Sequence, residues 1–299
     1  MTRMGFLLWV TAVFAASENP DENLGMDDKD LFEGDMILPT DLLYKAEHGM
    51  DVDSSRKRGA IKSRLWPLGE VPYVILNMLG GTTNTERAFT AINQGMEEWT
   101  TKTCIRFKRR TNERAYVEFT LRNGGCYSSV GRTGRPQVIN LAPGCWTLGI
   151  VAHEIGHAIG FFHEQSRPDR DQFVTVLLQN VQPGKENNFR KYPRSTIDSL
   201  GTPYDYQSLM HYGSRFFSRN GRLTIKTKNP RYQGAIGQRN GLSTIDAQQA
   251  NRLYQSECSK RGGGVCRDRW SFCQRWPVSF CSRYSVVREN CKKLCNQCS

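Results

Sequence analysis

The sequence predicts an α+β domain followed by a small module stapled by disulfides. Strand-like alternation and helical periodicity occur together between residues 66 and 258. Of the ten cysteines, six crowd into the last 34 residues. The charge also changes sign abruptly near residue 58, which separates an acidic leading segment from a basic body.

At the N-terminus, Arg3 precedes an apolar run from Gly5 to Ala16 that ends in small residues. The run is far shorter than the ~20 residues of a membrane span. Residues 1–16 therefore read as a signal peptide, and no other run is long and apolar enough to cross a bilayer. An even count of ten cysteines agrees with an oxidising, extracellular compartment. The chain contains no Asn-x-Ser/Thr acceptor for N-linked sugar.

Residues 17–58 carry 12 acidic and 5 basic side chains, net −7. The whole chain is +12, so with +1 on residues 1–16 the part from Gly59 onward is +18. An acidic, weakly periodic stretch before a basic body reads as a masking pro-segment awaiting removal. Arg56-Lys57-Arg58, at the boundary, reads as the signal for an activating protease that cuts near Arg58. A basic domain raises the prospect of a nucleic-acid partner. Secretion, the disulfides and the lack of helix-turn-helix or zinc-finger spacing argue against one. A solvated basic face that attracts acidic substrates or surfaces is the better reading.

Within the body, residues 71–76 alternate as a strand. Ala88, Ile92, Met96 and Trp99 recur at helical spacing and predict an amphipathic helix over 85–101, its stripe packed into a core. Residues 105–108, 116–121 and 137–141 read as strands. Residues 148–158 read as a second helix that Gly160 breaks, and 244–254 as a last one. Residues 259–265 form a Gly-rich linker. Residues 266–299, net +5, are too few to bury a useful core and depend on their cysteines.

Residues 153–163 read HEIGHAIGFFH, which places three of the chain's five histidines in register with a glutamate and a glycine. Four residues apart on a helix, His153 and His157 share a face and can grip one ion. Gly160 permits the left-handed turn that ends the helix and brings His163 back as a third nitrogen. Three imidazoles leave a fourth position open, the arrangement of a catalytic rather than a structural zinc. Glu154, beside the metal, can take the proton of a water that attacks a carbonyl.

Extended to HEIGHAIGFFHEQSRPDRD over 153–171, this stretch resembles the astacin metalloendopeptidases, a branch of the metzincins, and Glu164 after the third histidine is the branch's marker. The resemblance implies a catalytic domain over 59–258 with an active-site cleft and one Zn2+ per subunit, hydrolysing peptide bonds in proteins and peptides. Ser208-Leu209-Met210-His211-Tyr212 resembles the family's Met-turn. That implies a hydrophobic floor at Met210 and, at Tyr212, a further zinc ligand that swings away to donate a hydrogen bond to the developing oxyanion. Glu164 is implied to meet the freed N-terminus, at Gly59 or Ala60. Phe32-Glu33-Gly34-Asp35 resembles the FxGD motif of astacin pro-segments, which makes Asp35 a metal ligand in the latent precursor only.

Gly237-Gln238-Arg239 resembles a segment that places a basic side chain in the pocket after the scissile bond, which implies that Arg239 binds acidic substrate side chains. Without the resemblance, Arg239 reads as a solvated arginine on an exposed polar loop. The four cysteines of the body allow three pairings; the family implies Cys104–Cys258 and Cys126–Cys145. A single cysteine at 126 departs from the adjacent cysteines of tolloid-type astacins, which argues against a tolloid-like role.

The last six cysteines end in a CxxxCxxC pattern and resemble an ShKT module. The implied pairs are Cys266–Cys298, Cys273–Cys291 and Cys281–Cys295. Channel-blocking members carry a Lys and an aromatic where this chain has a displaced Arg283-Tyr284, so targeting of substrate or surface is favoured over channel block. Astacins with such tails resemble cnidarian and nematode enzymes, venom proteases included, which implies a venom or nematocyst setting. The alternative reading is a secreted ShKT toxin or channel-binding protein that uses the protease domain as a carrier. Intact His153, Glu154, His157, His163 and Tyr212 argue against a dead carrier.

Overall fold

The computed structural model describes residues 31–39, 64–76, 83–194 and 197–261, with scattered positions between 273 and 295. The expected signal peptide, the processing signal Arg56-Lys57-Arg58, the expected new terminus at Gly59 or Ala60 and the implied Cys266–Cys298 pair lie outside the described residues.

A six-stranded sheet forms one layer, in the order β1-β5-β6-β4-β2-β3. Its strands are β1 (Met36–Ile37), β2 (Glu70–Ile75), β3 (Arg106–Arg109), β4 (Val117–Thr120), β5 (Cys126–Ser129) and β6 (Gln137–Leu141). Strands β3, β2, β4 and β6 run parallel, β5 pairs antiparallel with β6, and β1 runs parallel to β5. Alternation places Val117, Phe119, Ile139 and Leu141 in the core.

The predicted amphipathic helix is α1 (Thr83–Lys102), and Ala88, Ile92, Met96 and Trp99 are its buried stripe. It crosses α2 (Leu148–Ala158) at close range. Gly95 permits this approach, because a Cβ there would come within 2.7 Å of Val151 Cγ1. Trp99 reaches across and donates its indole N–H to the Ala152 carbonyl at 2.8 Å. Thr147 caps the start of α2 by accepting from the Ile150 N–H. The buried stripe of α1 and the buried helix α2 pack on a largely parallel sheet to make one apolar core.

A second, smaller core surrounds the antiparallel pair β7 (Val174–Val176) and β8 (Ile225–Thr227) and contains Phe189, Tyr204, Tyr212, Phe216 and Phe217. Strands β5, β7 and β8, all short, were not legible in the sequence. A third cluster joins Met36 and Leu38 of the leading segment to Val130, Phe162, Tyr192 and Ile197. The leading segment is thereby packed into the body and supplies the edge strand β1.

Helix α3 (Thr244–Leu253) opens with a capping box between Ser243 and Asp246. Helix α4 (Gln255–Lys260) carries the chain as a helix into the stretch expected to be linker. Its Cys258 is tied to Cys104, and a Lys260–Glu257 pair at 2.5 Å spans its last turn. Cys126 is bonded to Cys145, Cys273 to Cys291 and Cys281 to Cys295. In the C-terminal module, α5 (Phe280–Arg283) is a single turn, and Cys273, Val287 and Cys291 are buried together. Among the described residues no helix is long and apolar enough to cross a membrane.

Candidate metal centre

Helix α2 presents His153 and His157 one turn apart, and both are buried. The helix ends in a Schellman motif: the Gly160 N–H bonds to the His157 carbonyl at 2.8 Å and the Phe161 N–H to the Gly156 carbonyl at 3.0 Å. Gly160 sits at φ +108°, which only glycine adopts freely. The chain then doubles back and brings His163 against the other two rings.

Each ring has an acceptor on its Nδ1 side. His153 Nδ1 meets the Leu209 carbonyl at 2.9 Å and His157 Nδ1 the Phe161 carbonyl at 2.8 Å. His163 Nδ1 meets Glu33 Oε2 at 2.6 Å. Acceptors at Nδ1 fix the proton there and leave the three Nε2 lone pairs facing inward. His153 Nε2 and His157 Nε2 lie 3.2 Å apart. Two nitrogens on one tetrahedral zinc, each ~2.0–2.1 Å from it, would be separated by about 3.3 Å. Two facing lone pairs at that distance repel unless a cation sits between them.

The fourth donor comes from the leading segment. Asp35 Oδ2 lies 3.2 Å from His153 Nε2 and 3.1 Å from His163 Nε2, and Oδ1 lies 3.6 Å from His157 Nε2. Donor atoms of these four buried side chains all fall within 4.8 Å of one another. Burial would raise the Asp35 carboxyl, yet His163 and His157 hold it well below the usual range. Burial would depress His163, but Asp35 and then Glu33 raise it to about 9. His153 falls to about 3, chiefly by burial and then by the Arg239 charge. Two buried carboxylates thus demand positive charge in this pocket, and a proton on His163 or a divalent cation can supply it. Three imidazoles and one carboxylate are donors that suit zinc.

The segment 208–212 lies under the helix. The Glu164 N–H bonds to the Met210 carbonyl at 3.0 Å, and the Tyr212 N–H bonds to Gln165 Oε1 at 3.0 Å. Met210 Sδ packs against Gly156. The Tyr212 ring lies 4.5 Å from that of His163, and its hydroxyl donates to the Glu33 carbonyl at 2.5 Å. Tyr212 is therefore engaged by the leading segment in this form of the chain. Glu154 is buried in α2 next to His153.

Glu164 Oε1 accepts from Arg167 Nη1 at 2.9 Å and from the Asp205 N–H at 2.8 Å, and burial pushes its carboxyl up to about 8. This carboxylate, expected to meet a freed N-terminus, faces Arg167 here. Arg239 corrects one expectation. It is 7% exposed rather than solvated. Its Nη1 donates to the carbonyls of Leu209 at 3.0 Å, Gln238 at 3.0 Å and His211 at 3.2 Å. Part of its guanidinium thus holds the Met210 segment, close enough for its charge to reach His153.

Two residues escaped the sequence reading. Glu33 occupies the open position of FxGD, where no residue type is expected. Asp246 accepts from Ser208 Oγ at 2.7 Å and from the Leu209 N–H at 2.8 Å, and so fixes the Met210 segment. Its only sequence signal was the spacing Ser243-x-x-Asp246 ahead of a helix.

The family profile described as Astacin (Peptidase family M12A) matches residues 59–255. Protein SpAN of Strongylocentrotus purpuratus is 41% identical over 238 residues, covering 76% of this chain and 38% of its own. Zinc metalloproteinase nas-14 of Caenorhabditis elegans is 48% identical over 195 residues, covering 64% of this chain and 37% of its own. The chain thus spans less than two-fifths of the length of these curated relatives. Among solved structures, High choriolytic enzyme 1, a hatching enzyme zinc-protease from Oryzias latipes (Medaka fish), matches with a TM-score of 0.58 and 39% identity. That match covers 69% of this chain and 98% of the other.

Proposed function

The chain belongs to the astacin family, and from that premise we propose that it is a secreted zinc metalloendopeptidase made as a latent precursor. The observation that carries this reading is the convergence of His153, His157 and His163 on the carboxylate of Asp35, a residue upstream of the family domain. His153, His157 and His163 would hold the zinc in every form of the protein, and Asp35 would hold it only before processing. When bound, the ion supplies Lewis acidity at the scissile carbonyl.

The protein's own groups do the rest. Glu154 takes the proton of the attacking water and passes it to the leaving amine. Tyr212, once released from the Glu33 carbonyl, donates its hydroxyl hydrogen to the oxygen that becomes negative in the transition state. Met210 and Gly156 set the floor under the histidines. Asp35 and β1 fill the space that a substrate requires, so cleavage near Arg58 is the activating event.

The substrates are proteins and peptides. The basic body and the Arg239 charge near His153 support a preference for an acidic residue just after the cut. Ten cysteines support export to an oxidising compartment. The pairs Cys273–Cys291 and Cys281–Cys295 support an ShKT-type module that directs the enzyme to a substrate or surface. Expression of the precursor, its cleavage at Arg56–Arg58 and a fluorogenic peptide assay test the reading. Cleaved wild type should hydrolyse peptide, and Glu154→Gln should bind zinc but lose several orders of magnitude in rate. A Glu154→Gln enzyme near wild-type activity would overturn the assignment.

A further inference from the structure

Asp35 is one of two leading-segment carboxylates that reach the same imidazole. Glu33 and Gly34 both have positive φ, at 49° and 81°, so the chain reverses tightly between them. Gly34 must lack a side chain, because a Cβ there would lie 2.7 Å from Phe217 Cζ. The left-handed conformation is unfavourable for a residue with a Cβ such as Glu33. It places Asp35 on the Nε2 side of His163 and Glu33 on the Nδ1 side.

Glu33 is completely enclosed, with a side chain 0% exposed. A buried carboxylate persists only where it is paired and hydrogen-bonded. Both oxygens meet this condition: Oε2 accepts from the His163 Nδ1–H at 2.6 Å and Oε1 accepts from the Ser166 hydroxyl at 2.8 Å. Its backbone carbonyl takes the Tyr212 hydroxyl at 2.5 Å. One residue therefore engages His163, Ser166 and Tyr212 together.

We propose that Glu33 is a second latch of the precursor, a positioning residue that fixes His163 with Nε2 toward the zinc and leaves with the pro-segment on activation. The proposal rests on the reading of Asp35 as the zinc-directed residue and adds a function for the residue two positions before it. A carboxylate behind a ligating histidine fixes its tautomer and raises its basicity. The precursor then grips its metal more firmly than Asp35 alone would allow, and processing withdraws both carboxylates in one cut.

The test uses full-length precursor made uncleavable at Arg56, Lys57 and Arg58, in four forms: unaltered, Glu33→Gln, Asp35→Asn and the double variant. Each is loaded with zinc and challenged with excess chelator, and the rate of zinc release is followed by the colour of the chelate. Glu33→Gln keeps the shape and one acceptor oxygen, so it should fold; a thermal melt checks this. Release should be 10–100-fold faster than from the unaltered precursor, the usual effect of losing such a partner. The double variant should fall short of the product of the two single effects, because both act on one ring. If Glu33→Gln releases zinc within twofold of the unaltered protein while Asp35→Asn releases it faster, Glu33 is no latch and the Asp35 reading stands. If neither variant speeds release, both readings fall.

Discussion

Met210 Sδ lies against the bare Cα of Gly156, where an added Cβ would come within 2.6 Å of the sulfur. The Trp99 ring closes the other side at 3.4 Å from the same position. Gly156→Ala should therefore overpack the floor of the site and cost about 1–3 kcal/mol. Urea unfolding of the zinc-loaded protein measures it. An unchanged midpoint would mean that the thioether swings aside freely and that Met210 sets no floor.

Tyr212→Phe separates two duties of one hydroxyl. In the processed enzyme it should lower kcat with little effect on KM, by at most about 4 kcal/mol in the transition state. In the precursor it removes the bond to the Glu33 carbonyl and should lower stability by about 1 kcal/mol. Steady-state kinetics and thermal melts of the two forms read these out separately. A change confined to KM would remove the oxyanion role.

Arg239→Ala should do more than alter specificity. Three backbone carbonyls lose a donor; that of Leu209 keeps His153 Nδ1, and the buried carbonyl of His211 loses a bond worth about 1–3 kcal/mol. A peptide-library profile of the wild-type enzyme should show Asp and Glu enriched just after the cut, and Arg239→Ala should lose that enrichment as well as stability. If the wild-type profile shows no acidic enrichment, Arg239 is an anchor of the Met210 segment and nothing more.

Asp246 gives a pH dependence with a definite sign. Burial raises its carboxyl, the Leu209 N–H and Ser208 hydroxyl oppose this, Asp205 adds to it, and the result is about 6 against an ordinary 3.8. A carboxyl raised in the folded state contributes stability below about pH 4 that is lost as pH rises through about 6. Relative to Asp246→Asn, the wild type should thus lose on the order of 2–3 kcal/mol between pH 4 and 7. Denaturant unfolding of both proteins at pH 4, 5.5 and 7 tests this. Parallel stability profiles would show that Asp246 does not titrate in that window.

The histidine triad was legible because its spacing is local: a helical turn and a glycine stop fix three ligands within eleven residues. Helices α1 and α2 were legible for the same reason, since periodicity is read residue by residue. Strands β5, β7 and β8 span only three or four residues and take their form from partners far along the chain. Asp246 meets Leu209 across 37 positions and Glu33 meets His163 across 130, and no local pattern encodes such pairings. The exposed, solvated setting expected for the loop of Arg239 was wrong for a related reason. Its surroundings in sequence are polar and Gly-rich, but the segment folds back on residues 209–211, and the Leu209 and His211 carbonyls accept from its Nη1.

Strand β1 joins the leading segment to the sheet through the main chain as well as through the packing of Met36 and Leu38: the Ser128 N–H bonds to the Asp35 carbonyl at 2.9 Å and the Val130 N–H to the Ile37 carbonyl at 3.2 Å. Processing that removed residues 31–39 would leave β5 as the open margin of the sheet, with those two donors turned toward the vacated site. An open margin accepts any extended polypeptide, whatever its side chains. On the proposed function, the departing segment would leave a rail on which an incoming chain is straightened before it is cut. Grip on that rail would be generic, and selectivity would fall to the few side chains that meet a charged pocket.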